Sequence, residues 1–192
     1  MPQDTLVPMP SKAEIVGEII RLFRERGERM YGEDVTQTQH ALQTAAAARH
    51  DHAPDHLIVA ALLHDVGHVI SDLPEDAAEH DIDDIHEMKG ADWLANYFPA
   101  KVVEPIRLHV AAKRYLCEAE PGYFEKLSQA SRLSLSVQGG PMTAAEARAF
   151  EKHPHFADGI QLRRYDEQGK NPDAKGDSVE SFRALMQAWV LK

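Results

Sequence analysis

His64 and Asp65 stand side by side in the most apolar stretch of the chain, LIVAALLHDVGHVI, between Leu62-Leu63 and Val66-Gly67. A stretch that is apolar nearly all round predicts a central, buried helix. Charged or titratable groups carried into such a core are costly unless paired. Two pairings satisfy both side chains: a structural His–Asp hydrogen bond, or a metal ion bound by both. Three further features favour the metal. His40, His86, His109 and Asp166 fall on other predicted helices, and helical bundles build core metal sites from ligands on several facing helices. His64 and His68 are spaced i,i+4, so they share a face if one helix carries both. His109 and Lys113 repeat that spacing. A cation one turn from a metal ligand is unfavourable unless an anion lies between them, so Lys113 predicts an anionic substrate. Arg163, three residues before Asp166, lies on the same predicted helix face and reaches the same neighbourhood.

The elements that would position these residues are helical throughout. Ser11 with Glu14 forms a capping box ahead of Ile15, Ile19, Ile20, Leu22 and Phe23, and Gly27 is a stop. A second helix runs from about Thr36 through Ala48. The third opens at Pro54-Asp55 and carries His64 and Asp65 without interruption to Ile70. Further helices are expected from near His86 to Tyr97, from Val102 to Cys117 and from Pro121 to Ser136. Thr143 and Glu146 form another capping box, and His153-Pro154 breaks the helix it starts. The next runs from Phe156 to Tyr165, Lys170 to Asp177 is a polar linker, and a last helix spans Val179 to Val190. The expected fold is all-α, a compact single-domain helical bundle over residues 1–192, with residues 1–10 a flexible N-terminal segment.

Composition narrows the function classes. The 192 residues are 43% hydrophobic and 27% charged, an ordinary globular balance. A formal net charge of -10 argues against a nucleic-acid partner. The acidic stretch from Asp72 to Glu87 reads as a solvated loop. No apolar run approaches the length of a membrane span, and MPQDTLVPMPSK lacks the features of a signal peptide. The single cysteine, Cys117, points to a reducing, cytoplasmic location and reads as a small helix residue. The eleven histidines are the anomaly. His50, His52, His56, His80, His153 and His155 read as surface or capping residues, and Trp93 and Trp189 as core.

The order His40, His64-Asp65, Asp166 resembles the HD-domain superfamily, and His86 with His109 matches its two-metal variant. The segments GEDVTQTQHALQ, AALLHDVGH, HVAAKRYL, SLSVQGGPM and LRRYDEQGK look like the mixed-valent di-iron oxygenases that cleave phosphonate carbon–phosphorus bonds. The resemblance runs from about Gly32 to Gly169. It implies two iron ions, Fe2+ and Fe3+. His40, His64, Asp65 and Asp166 would bind the first, and Asp65 would bridge to the second, completed by His86 and His109. It assigns Lys113, Ser131 and Arg163 to the phosphonate, with Arg164 the rival arginine, and His68 to a supporting or substrate-facing role. Glu33 matches a glutamate at the cationic end of the substrate, paired with a tyrosine that leaves the iron when substrate binds. That tyrosine is expected three residues before the glutamate; here Tyr31 lies two before, and Met30 holds the expected place. A roomier pocket follows, suited to a quaternary ammonium, with Tyr31 as a cation–π face and Glu33 or Asp34 as counter-charge. The implied substrates are an organophosphonate and O2. The organophosphonate is (R)-1-hydroxy-2-(trimethylammonio)ethylphosphonate or (R)-2-amino-1-hydroxyethylphosphonate, giving glycine betaine or glycine plus phosphate. Hydroxymethylphosphonate fits Glu33 less well. The alternatives are a metal-dependent phosphohydrolase of the same superfamily and a catalytically silent binding domain.

Overall fold

The computed structural model describes residues 10–31, 34–72, 80, 82–174 and 176–191. The expected flexible segment lies outside the described residues except for Pro10. Helix α1 (Lys12–Arg26) begins at the expected capping box, with Ser11 Oγ accepting from the Glu14 amide and the Glu14 carboxylate accepting from the Ser11 amide. Helix α2 (Gln37–His50) has the same reciprocal cap in Thr36 and Gln39. Each box satisfies two amides that a helix start otherwise leaves unpaired.

The apolar stretch is central, as its composition predicts, but it is not one helix. Helix α3 (Asp55–Leu63) buries every residue from Leu57 to Leu63. Asp65 then leaves helical geometry at φ −102°, ψ 16°, and α4 (Val66–Ile70) starts after it as a separate helix. This sparsely populated conformation is one that active-site residues often adopt. The break separates His64 from His68, so the two do not share a helix face.

Helix α5 (His86–Leu94) follows Ile85, a β-branched residue in the left-handed region at φ 46°. Such a conformation is strained and is held in place by its surroundings. Helix α6 (Ala100–Ala119) starts two residues earlier than expected and has Pro105 in its interior. The expected helix over 121–136 divides into α7 (Tyr123–Lys126) and α8 (Gln129–Val137), because Leu127 is extended and Ser128 caps a new start. Helix α9 (Ala144–Phe150) has the expected Thr143–Glu146 box, and α10 (Phe156–Asp166) ends on the candidate ligand Asp166. The chain closes with a 3-10 turn (Val179–Phe182) running into α11 (Arg183–Trp189).

Helix α3 packs among α2, α6, α10 and α11, while α10 lies along α6 and α5 bridges α4 and α6. One apolar core runs through α1 to α6, α10 and α11, with Trp93 and Trp189 packed on its edge. A smaller cluster of Leu116, Tyr123, Leu127 and Leu135 roots α7 and α8 on α6. Among the described residues the β structure is a single bridge between Met30 and Thr36, so the all-α expectation holds. Among the same residues no helix is long and apolar enough to cross a membrane.

Candidate metal centre

Six side chains from five helical regions meet in the core: His40 from α2, His64 and Asp65 from the α3–α4 break, His86 from α5, His109 from α6 and Asp166 from α10. All six are buried. Each imidazole is fixed through Nδ1. His40 is held by the Gly169 carbonyl at 2.8 Å, His64 by Ala61 O at 2.9 Å and His109 by Ile106 O at 2.7 Å. His86 Nδ1 lies 2.8 Å from the Asp84 carboxylate. A carbonyl only accepts, so Nδ1 of His40, His64 and His109 carries the proton and Nε2 presents its lone pair inward.

Those lone pairs converge in two groups. His40 and His64 approach Nε2 to Nε2 at 3.1 Å, and His86 and His109 at 3.2 Å. Asp65 stands between the groups. Its Oδ2 lies 3.4 Å from His40 and 3.2 Å from His64; its Oδ1 lies 3.3 Å from His86 and 3.4 Å from His109. Asp166 Oδ1 adds a further donor 3.3 Å from His40. Asp65 Oδ1 is buried and, despite these short approaches, makes no hydrogen bond of acceptable geometry. Facing lone pairs and an orphaned carboxylate oxygen are unfavourable in a dry core unless a cation lies between them. Donor separations just above 3 Å are the edges of a coordination polyhedron with bonds of roughly 2.1 Å. The donor set therefore fits metal. Imidazole and carboxylate without thiolate suits iron and differs from the cysteine-rich donor sets common in structural zinc sites.

Titration follows the same arrangement. Burial opposes the charge on His40, but Asp166 and Asp65 outweigh it and raise the group to about 9. Burial likewise opposes His86, which Asp65 and Asp84 raise to about 10. His109 is held well below its ordinary value by burial. Asp65 and Asp166 stay ionised against burial, through His64 and His40 for the first and Arg163 and His40 for the second. Bound cations would replace the protons these groups otherwise share.

His68 also comes within ligating reach of Asp65 and His86. Its Nδ1 is held 2.8 Å from Asp84 Oδ2, however, and its ring stacks on His86 at 4.0 Å. We therefore place His109, whose Nε2 points at Asp65, in the second group and His68 behind it. Asp84, which reads as part of a solvated acidic run, is a half-buried anchor for both His68 and His86. Nothing in the spacing of that run distinguishes it.

Tyr31 stacks on His40 at 3.8 Å and its hydroxyl donates to Asp166 Oδ1 at 3.5 Å, while Met30 is exposed. Glu33 lies outside the described residues. Beside the first group, Lys113, Ser131 and Arg163 are all buried. Lys113 Nζ donates to Ser134 Oγ at 2.8 Å. Arg163 donates through Nε to the Tyr123 hydroxyl at 3.1 Å and pairs with Asp166 and Glu167. Lys170, which reads as the start of a polar linker, turns back so that Nζ donates to Ser131 Oγ at 2.8 Å. Its position at the end of LRRYDEQGK was the available signal.

The chain is 42% identical over 183 residues to [1-hydroxy-2-(trimethylamino)ethyl]phosphonate dioxygenase (glycine-betaine-forming) of Leisingera caerulea, covering 95% of this chain and 93% of that protein. It belongs to this phosphonate dioxygenase family. A second family member, hydroxymethylphosphonate dioxygenase of Gimesia maris, is 40% identical over 187 residues, covering 96% of this chain and 92% of that protein. An uncharacterised protein of Acanthamoeba polyphaga mimivirus is 35% identical over 175 residues, covering 89% and 80%. No protein-family model matches the chain. Membership bears out the resemblance carried by the quoted segments, and an oxygenase of this family acts on a small molecule and O2.

Proposed function

We propose that the protein is a two-iron oxygenase that uses O2 to cleave the carbon–phosphorus bond of a 1-hydroxyphosphonate bearing a cationic 2-substituent. The substrate is (R)-1-hydroxy-2-(trimethylammonio)ethylphosphonate or its 2-amino counterpart, and the products are phosphate with glycine betaine or glycine. The observation that carries this reading is Asp65, whose two oxygens each face a separate histidine pair beside a buried cationic wall.

His40, His64, Asp166 and Asp65 Oδ2 would hold one iron, and His86, His109 and Asp65 Oδ1 the other. Bound irons would supply the dioxygen activation that no side chain here provides. The protein's own residues do the rest. Lys113, Ser131 and Arg163 hold the phosphonate and neutralise its charge, Lys113 as a point charge and Arg163 as a planar fork. His68 and Asp84 fix the orientation of His86. The face of Tyr31 that does not stack on His40, with Glu33 and Asp34 following in sequence, would support a cationic substituent.

The test is to purify the protein with iron and ascorbate and follow O2 consumption and phosphate release. The three substrates are the trimethylammonio, amino and hydroxymethyl phosphonates. O2-dependent phosphate release with a preference for a cationic substrate is the expected result. Preference for hydroxymethylphosphonate would overturn the cationic-end assignment. Phosphate release from monoesters without O2 uptake would return the hydrolase reading.

A further inference from the structure

Gly122, at a left-handed φ of 80°, turns the chain into α7, and Tyr123 is the first residue of that helix. The Tyr123 ring packs with Leu116, Leu127 and Leu135 and is buried. Phenylalanine would meet that packing equally well, so the hydroxyl needs its own account. It lies 3.1 Å from Arg163 Nε in α10 and 3.1 Å from Glu167 Oε1 just beyond it. A guanidinium only donates, so the hydroxyl accepts from Nε and gives its own proton to the carboxylate. Burial raises the Tyr123 hydroxyl above the ordinary tyrosine value, which keeps that proton in place. Arg163 Nη2 also donates to Glu167 Oε1, so tyrosine, arginine and glutamate close a ring.

A guanidinium carries five N–H groups in a rigid plane, with Nε–H and one Nη2–H along the same edge. Tyr123 and Glu167 fill that edge. Arg163 Nη1 donates to Asp166 Oδ2, a candidate metal ligand. With those contacts made, one N–H remains on each terminal nitrogen to meet an anion. The arginine is 3% exposed, so water offers no substitute for any of these acceptors. If the tyrosine hydroxyl is removed, Nε–H is left buried and unpaired. That is costly, and the guanidinium recovers an acceptor only by turning within its pocket.

Resting on the phosphonate oxygenase reading, we propose that Tyr123 is a positioning residue for the substrate: its hydroxyl, braced by Glu167, fixes the plane of the Arg163 guanidinium so that the two terminal N–H groups face the phosphonate. Tyr123 acts through Arg163. The short helix α7, which reads in sequence as part of one longer helix, thereby joins the substrate site.

The test is a double-mutant cycle of Tyr123→Phe and Arg163→Lys on the iron-loaded protein, read by anaerobic calorimetric titration with hydroxymethylphosphonate. Iron content is measured alongside. Tyr123→Phe alone is expected to bind about tenfold more weakly, with iron retained. Lysine has no Nε–H and no planar fork, so in the Arg163→Lys background the same change should alter binding by less than about twofold. In turnover with the best of the three phosphonates, the loss in Tyr123→Phe should appear in KM, with kcat within about twofold of wild type. Wild-type affinity in Tyr123→Phe, or a loss confined to kcat, overturns the proposal and leaves the oxygenase reading standing. An equal loss in both backgrounds does the same, because the hydroxyl would then act through something other than the guanidinium. Iron lost in Tyr123→Phe also overturns it, since the hydroxyl would then serve Asp166 rather than the anion. Arg163→Lys binding as tightly as wild type removes Arg163 from the anion and the proposal with it. A wild-type protein that binds no phosphonate sinks the proposal and the reading together.

Discussion

Gly67, the second residue of α4, lies against the first residue of α5, and replacing it with alanine tests how the second ligand group is positioned. A Cβ at Gly67 would lie 2.0 Å from the His86 carbonyl oxygen, 2.6 Å from its carbon and 2.9 Å from His86 Cα. These are backbone atoms, so no rotamer change relieves the contact, and ordinary packing needs roughly 1.5 Å more separation. Alanine is intrinsically better in a helix than glycine by about 1 kcal/mol. Overpacking of this kind costs about 1–3 kcal/mol, so the clash wins. The net cost is about 1 kcal/mol, and for a chain of this size each kcal/mol lowers Tm by about 2–4 °C, which places the expected loss near 3 °C. The displacement also exceeds the roughly 0.5 Å tolerance of a ligand constellation, so His86 should lose the second metal. The assay is a thermal scan with iron counted per chain. Gly17→Ala is the control: a Cβ there meets nothing within 4 Å, and the variant should melt at or above wild type. Gly67→Ala melting like the control, with its iron complement unchanged, would refute the reasoning.

Asp65→Asn replaces one carboxylate oxygen with an amide nitrogen and should lower the iron content from the proposed two per chain to one or fewer; elemental analysis showing two removes Asp65 from the bridging position. Asp84→Ala releases Nδ1 of both His86 and His68 and should weaken one iron by about 10–100-fold in chelator competition while sparing the other. Burial, and then Arg163, push Lys113 down to about 7. In the proposed role its protonated form holds the anion, so kcat/KM for the phosphonate should fall as pH rises through about 7. Lys113→Arg should move that fall to higher pH, and a profile identical to wild type in that variant would assign the ionisation elsewhere.

Much of this protein is legible from its residue types and their order. Capping boxes at Ser11–Glu14 and Thr143–Glu146 are local, formed within one turn, so sequence alone places them. The burial of Leu57 to Leu63 follows from an apolar surface with no polar face. The six candidate ligands are readable because histidine and aspartate are costly in a core without a partner. What the sequence could not determine depends on contacts between distant segments. The apolar stretch continues its helical pattern through His64 and Asp65, yet the chain breaks there. Asp65 must face two histidine pairs at once, and α4 must lie against α5 through Gly67. Asp84 looks like its acidic neighbours until the Ile85 turn brings it to His68 and His86. Lys170 looks like a linker residue until α10 and α8 bring it to Ser131. Local propensity settles within a few residues. The split of four imidazoles across one carboxylate, and the contact of Lys170 with Ser131, exist only once helices far apart in sequence have packed.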